Sequence, residues 1–350
     1  MVSACATLPK AVPSKKAAGR AAVQTENAGN PRVEIKMSMK VYKYIYGPVP
    51  SRRLGRSLGV DLVPFKTCTY DCIYCQLGQT TNKTTERRDY VPIDDVIKEL
   101  TDKMDSGVVC DYISLAGSGE PTLHSGIGDL IEKIKAMTHI PVAVITNGSL
   151  LYLPEVRESL LCADLVLPSL DVGDEQLFQY VNRPHSDLSF DQMVKGLIDF
   201  SRNFTGQIWL EVLLLGGVTG MPAEVEKIAA LVKSVHPTRV QLNTAYRPPA
   251  EETAFPLSVE QLTSLKNFFP GDVDVIGDLD SPAMPVTESG TVTDDDIIAL
   301  LTRRPCTIVD IASGLGMHVN EVIKRMEKLV EAGKVHCIVT RKRNYYTPKN

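Results

Sequence analysis

Between residues 41 and 277 short apolar runs alternate with amphipathic stretches, and this rhythm constrains the fold more than any other feature of the chain. Nearly continuous apolar segments at 57–63, 112–116, 141–145, 164–167, 208–215 and 239–242 read as strands. Helix patterns separate them. Ile93, Val96, Ile97 and Leu100 form one apolar stripe, with Asp94 and Asp95 in its first turn, and Ile127, Leu130, Ile131 and Ile134 form a second. Segments 150–161, 190–200 and 223–235 complete the set. Strands this apolar belong to a covered parallel sheet, and right-handed crossovers put the helices on its outside. The expected fold is therefore α/β, a partial (βα)6 TIM-like barrel in preference to an open doubly wound sheet. In either architecture the chemistry belongs at the carboxyl ends of the strands.

The 350 residues are enough for a second, smaller core. Residues 1–40, rich in Ala, Lys, Pro, Ser and Asn and without an acidic residue before Glu26, read as a disordered tail. The core is expected at 41–277, a Pro, Ser and Gly-rich linker at 278–290, and a winged helix-turn-helix domain at 291–350. That last segment carries one helix with acidic residues at its start and a second over 308–315. A third has Val319, Val322, Ile323, Met326, Leu329 and Val330 on one face, and two β runs then flank the basic turn Arg341-Lys342-Arg343-Asn344. No apolar run approaches the roughly 18 residues of a membrane span, and no charged start leads into an apolar signal core. A cytoplasmic protein without a membrane partner is expected.

A net charge of −4 speaks against a protein that coats nucleic acid along its whole surface. Residues 301–350, however, hold ten Lys or Arg against four Asp or Glu, a local excess of six. Such a segment suits phosphate contacts, with Arg341, Lys342 and Arg343 as the candidate side chains. The mixed signs of Glu321, Lys324, Arg325 and Glu327 count against a strong DNA reader, and protein docking is the other use of such a module.

Immediately after the first strand pattern stands Cys68-Thr-Tyr-Asp-Cys72-Ile-Tyr-Cys75. Eight cysteines are too few for a disulfide scaffold in so long a chain, and three of them fall in this loop. Thiolates suit iron-sulfur clusters or zinc, but structural zinc prefers four ligands in two pairs, and no fourth Cys or His stands at suitable spacing. Three thiolates can hold three irons of a cubane and leave the fourth iron open to a substrate. The spacing of three, then two, intervening residues, with Tyr74 just before Cys75, resembles the radical S-adenosylmethionine (SAM) superfamily.

That resemblance implies one 4Fe-4S cluster on Cys68, Cys72 and Cys75, with SAM chelated at the open iron. An electron from a donor such as flavodoxin or ferredoxin would then split the sulfonium to a 5′-deoxyadenosyl radical. Tyr74 is implied near the adenine. Gly117-Ser118-Gly119-Glu120-Pro121 is similar to the family's Gly-Gly-Glu-Pro segment, which hydrogen-bonds the methionine amino group, with an insertion-like departure in the glycine pair. Thr146 and Asn147 are implied near the ribose, and Ser169 and Asp171 near the carboxylate or ribose. Read as residues alone, the same segments are a glycine turn and an Asn-Gly turn.

Segment 46–56 carries Arg52, Arg53 and Arg56 among turn residues, either a bidentate grip on phosphate or carboxylate or a solvated charge run. Together with the cysteine motif it resembles the branch of wyosine-type tRNA-modifying enzymes, which implies RNA as the substrate. Peptide modification is the enzymatic alternative, and a cluster-containing DNA-binding regulator is a third. Wyosine-forming enzymes carry further N-terminal cysteines for a second cluster, whereas only Cys5 precedes the motif here. Glu211, inside an apolar strand, needs a partner if buried, and Cys110, Cys162, Cys306 and Cys337 read as small hydrophobes.

Overall fold

Eight strands pair in chain order: β1 (Ile45–Ser51), β2 (Gly55–Val60), β3 (Tyr112–Leu115), β4 (Val142–Thr146), β5 (Leu165–Pro168), β6 (Gln207–Leu213), β7 (Arg239–Asn243) and β8 (Val273–Ile276). The computed structural model describes residues 42–276, 292–340 and 343–349; the expected tail at 1–40, the linker at 278–290, and Arg341 and Lys342 lie outside these. Strands β2 to β8 are all parallel, joined by α1 (Ile93–Asp105), α2 (Ile127–Met137), α3 (Pro154–Leu160), α4 (Phe190–Asn203), α5 (Pro222–Val235) and α6 (Val259–Leu265). Six strand–helix units followed by a last parallel strand make the expected (βα)6 arrangement. Because β1 and β8 do not pair, the sheet is a curled half-barrel rather than a closed one.

Alternation along the strands sorts the side chains into two layers. Val142, Val144, Val166, Leu210 and Val212 share one large core with the helix residues Ile127, Leu130 and Ile131. The intervening positions Ala143, Leu165 and Leu167 form a separate concave cluster, which Ile145 and Trp209 join. Leu54, from the turn between β1 and β2, is 2% exposed and plugs this cluster. Ser51 holds that turn in shape, since its Oγ accepts from the amides of Arg53 and Leu54 at 3.3 and 3.2 Å.

Three expectations change. Segment 46–56 is an antiparallel hairpin rather than a loop, with Tyr46 paired to Gly59 and Ser51 to Gly55. Its Gly and Pro residues mimic turn chemistry, which conceals an edge strand. Gly59 has a steric reason: a Cβ there would lie 2.0 Å from the Tyr46 ring, which crosses it on the concave side. The helix expected over 150–161 starts only at Pro154, a residue preorganised for a first helical turn. Of the scattered cysteines Cys110 and Cys306 are buried, whereas Cys162 and Cys337 are exposed and contribute nothing to a core.

Beyond residue 291 come α7 (Asp294–Arg303), α8 (Ile308–Leu315), α9 (Val319–Glu331) and the antiparallel hairpin β9 (Val335–Thr340) and β10 (Arg343–Pro348). Capping boxes at Thr293/Asp296 and Thr307/Asp310 start the first two helices. This module has its own core of Ile297, Leu301, Ile311, Val322, Met326 and Leu329, and Val49 of β1 packs onto it. The module therefore lies against the β1 edge of the half-barrel, the side of β1 that has no strand neighbour and would otherwise face solvent.

Candidate active site

The chain leaves β2 at Asp61 and passes through a loop that carries all three clustered cysteines, each of them half-buried. A two-residue parallel pairing of Thr67–Cys68 with Asn82–Lys83 pins the start of the loop. Polar donors from three directions reach the sulfurs. Lys66 Nζ lies 3.1 Å from Cys75 Sγ, Asn147 Nδ2 lies 3.6 Å from Cys68 Sγ, and Asn182 Nδ2 lies 3.7 Å from Cys72 Sγ. Burial pushes the Cys68 thiol up to about 12 and raises Cys72 well above the ordinary thiol range. Both thiols thus favour their protons until a metal takes them, and metal loading would release protons.

The strand ends behind this loop are cross-braced. Glu120, 2% exposed, accepts from Thr122 N at 3.0 Å, Thr122 Oγ1 at 2.6 Å, Thr146 Oγ1 at 2.6 Å and Asn147 N at 2.7 Å. Four donors from the chain itself saturate the carboxylate, so Glu120 ties the end of β3 to the end of β4. Burial still raises its pKa, against the pull of those hydrogen bonds. Asn147 also donates to Thr69 Oγ1 at 2.7 Å, which brings the turn after β4 onto the cysteine loop. Gly119 permits the same close approach for the segment after β3: a Cβ on it would lie 1.8 Å from the Thr67 carbonyl oxygen.

Asp171 plays the bracing role beyond β5. It is 3% exposed, and its oxygens accept from Tyr74 OH, from Asn182 Nδ2 at 3.1 Å and from Leu213 N at 3.0 Å. Tyr74 is thereby fixed between Cys72 and the end of β6, and burial raises its phenol well above the ordinary range. Ser169 forms an isolated bridge with Glu211. Asp61, 7% exposed, accepts from Ser118 N at 3.0 Å and from Ser118 Oγ, so it orients the glycine-rich segment from below.

The arginines of the hairpin part company. Arg56 turns outward onto Asp111, with NH2 at 2.6 Å and Nε at 3.1 Å from its oxygens. Arg53 instead points to the concave side and pairs with Glu211, which also accepts from Asn243 Nδ2 at 3.2 Å. The partner that Glu211 requires is therefore an arginine 158 residues earlier in the chain. Arg52 stacks on Tyr246, its Cζ 4.1 Å from the ring centroid. Arg343 opens β10 and is exposed. Lys66, Asn182 and Asp61 were not singled out from the sequence. Lys66, two positions before Cys68, and Asp61, a charge ending an apolar strand, had a local signal; Asn182 had none.

Residues 62–234 match the family described as the radical SAM superfamily. The chain is 43% identical over 296 residues to the GTPase Obg of Brachyspira hyodysenteriae, covering 84% of this chain but 43% of that protein, so it spans less than half the length of that relative. It is 34% identical over 267 residues to a UPF0026 protein of Methanocaldococcus jannaschii, covering 74% of this chain and 82% of that one. A radical SAM methyltransferase from Sphaerobacter thermophilus superposes with a TM-score of 0.46 at 17% identity, over 63% of this chain and 66% of that one. No helix among the described residues is long and apolar enough to cross a membrane. The chain belongs to the UPF0026 family, and its residues 62–234, which hold the cysteine loop, match the model of the radical SAM superfamily.

Proposed function

We propose that this protein reductively cleaves SAM at a single 4Fe-4S cluster held by Cys68, Cys72 and Cys75 and uses the resulting radical to modify RNA. The observation that carries the first half is the convergence of polar donors from three separate segments on the sulfurs of the cysteine loop. Lys66, Asn147 and Asn182 each offer an N–H to a different one of the three sulfurs. Hydrogen bonds of this kind tune iron-sulfur sites. Among the described residues no three metal-binding side chains gather as around a single ion. A cubane asks for something else, one sulfur at each of three corners.

When bound, the cluster would supply the electron that splits the SAM sulfonium into methionine and a 5′-deoxyadenosyl radical. The chain's own residues hold the ligand. Gly117, Ser118 and Gly119 would present backbone to the methionine end, kept in place by Asp61 below and by Glu120 and Pro121 behind. Thr146, Asn147, Ser169 and Asp171 would frame the ribose side, with Tyr74 near the adenine. Glu120 and Asp171 act as braces in this reading, because their oxygens are already engaged. An external flavodoxin or ferredoxin would deliver the electron.

RNA is the substrate class favoured by the basic C-terminal segment and by the order of its elements, three helices followed by a hairpin. We read this module as a winged helix whose Arg341, Lys342 and Arg343 face phosphates. The test is anaerobic reconstitution with iron and sulfide, reduction, and assay of 5′-deoxyadenosine with and without bulk tRNA. Wild type should form the product and Cys72→Ala should not. Equal product from both, or none from fully loaded wild type, ends the proposal. Product formed with no retention of tRNA ends its RNA half.

A further inference from the structure

On the concave side of the sheet, where the C-terminal module meets the half-barrel, guanidinium groups collect around two tyrosines. Arg52 and Arg247 lie 4.1 and 4.8 Å from the centroid of Tyr246, just beyond β7, and Arg303 lies 4.7 Å from that of Tyr46. Arg247 connects the cluster to the cysteine loop, its NH1 3.3 Å from Gln76 Oε1, one residue after Cys75. Two of these cations and the neighbouring Arg53 answer three carboxylates: Arg53 meets Glu211, Arg247 NH2 lies 3.6 Å from Asp310, and Arg303 Nε lies 3.5 Å from Asp61. Arg304 is a further cation, and its buried Nε has no hydrogen-bond partner among the described residues.

Two further observations agree. Burial by itself would raise the Tyr246 phenol, yet the charges of Arg247, Arg52, Arg304 and Arg53 outweigh it and draw the phenol below its ordinary value, so the local potential is positive. Gln241, 1% exposed and paired in register with Glu211 on the concave side, keeps a buried Oε1 without a partner among the described residues. Buried polar atoms are nearly always satisfied, so each of these two atoms calls for a partner such as an ordered water or a bound anion's hydrogen-bonding group.

We propose that this arginine cluster around Tyr246 is a subsite for a phosphate group of the substrate, shared between the half-barrel and the C-terminal module. Guanidinium forks match phosphate oxygens and are lightly hydrated, which suits a partly buried anion site. The inference deepens the RNA-modifying reading and rests on it for the reaction that follows binding. The phosphate would come either from a free nucleotide or from the backbone of a strand.

The test is calorimetric titration of the full-length protein, anaerobically, with inorganic phosphate, with each nucleoside 5′-monophosphate and with a short single-stranded RNA lacking terminal phosphates. Wild type should bind at least one probe saturably. Arg304→Gln should weaken it roughly ten- to a hundredfold, the loss of one charged hydrogen bond, and Arg304→Lys should restore part of it. Arg52→Gln is the second variant, read alongside circular dichroism to confirm folding. Binding of mononucleotides points to a free substrate, and binding of the oligomer alone points to a strand. No saturable binding by wild type, or unchanged affinity in folded variants, overturns the subsite. Assay of 5′-deoxyadenosine on the same wild-type sample separates the two ideas: product without phosphate binding removes only the subsite, and Arg304-dependent binding without product removes only the SAM-cleaving reading.

Discussion

Arg303 Nε, in the last turn of α7, lies 3.5 Å from Asp61 Oδ2 at the end of β2. Asp61 in turn orders Ser118 in the glycine-rich segment, so a C-terminal residue stands one carboxylate away from the proposed SAM site. The pair is largely desolvated, with side chains 15% and 9% exposed. Burial raises the Asp61 pKa, and the Ser118 hydrogen bonds and the Arg303 charge oppose it. Arg303→Gln should leave a buried charge behind and cost about 3 kcal/mol. Adding Asp61→Asn should recover a good part of that loss. Urea unfolding of the two single variants and the double gives the coupling, expected above about 1 kcal/mol; strictly additive losses would show that the two groups do not interact.

Gly119 sets the distance between the β3 end and the cysteine loop. Gly119→Ala places a Cβ 1.8 Å from a backbone oxygen that has no side-chain freedom to yield. Overpacking of this kind costs about 1–3 kcal/mol and displaces backbone. The variant should unfold at lower denaturant and take up less iron per chain; wild-type values for both would show that the segment tolerates separation.

Lys66 brings a positive charge to 3.1 Å from Cys75 Sγ. A cation beside the ligand sulfur favours the more negative, reduced state of a bound cluster. Lys66→Gln should therefore move the midpoint potential to more negative values while keeping three cysteine ligands. A potentiometric titration followed by electron paramagnetic resonance reads this directly, and an unmoved midpoint would exclude an electrostatic role for the ammonium group.

The parallel strands were legible because buried apolar runs bounded by helix patterns leave few alternatives. The cysteine loop was legible because its spacing is local. What escaped was produced by chain reversal and distant pairing. Arg52, Arg53 and Arg56 look alike in sequence, yet the hairpin sends Arg56 to Asp111 and Arg53 to Glu211. Strand β8, four residues long with Asp274 among them, is too short and polar to stand out. Glu120 and Asp171 stand out in the sequence, but most of the donors that reach them do not: Thr146 and Asn147 lie 26 and 27 residues from Glu120, and Asn182 and Leu213 lie 11 and 42 residues from Asp171. No spacing rule connects such groups before the sheet has formed.

Asp310 supplies a pH test of the junction between the half-barrel and the C-terminal module. Burial alone would raise its pKa, but the charge of Arg247, with help from the Thr307 amide, overcomes this and holds it below its ordinary 3.8. A carboxyl lowered on folding contributes stability that is present above the unfolded value and is lost as pH falls through the folded one. Wild type should thus lose stability below about pH 3.8, as Asp310 takes up a proton and releases Arg247. Asp310→Asn lacks this titration and loses the charge at every pH. Its deficit near pH 6 should be about 1–3 kcal/mol and should shrink as pH drops below 3.8. Thermal unfolding of both proteins between pH 6 and 2.5 gives the two curves, and a deficit that stays constant across that range would show that the Arg247–Asp310 contact stabilises nothing.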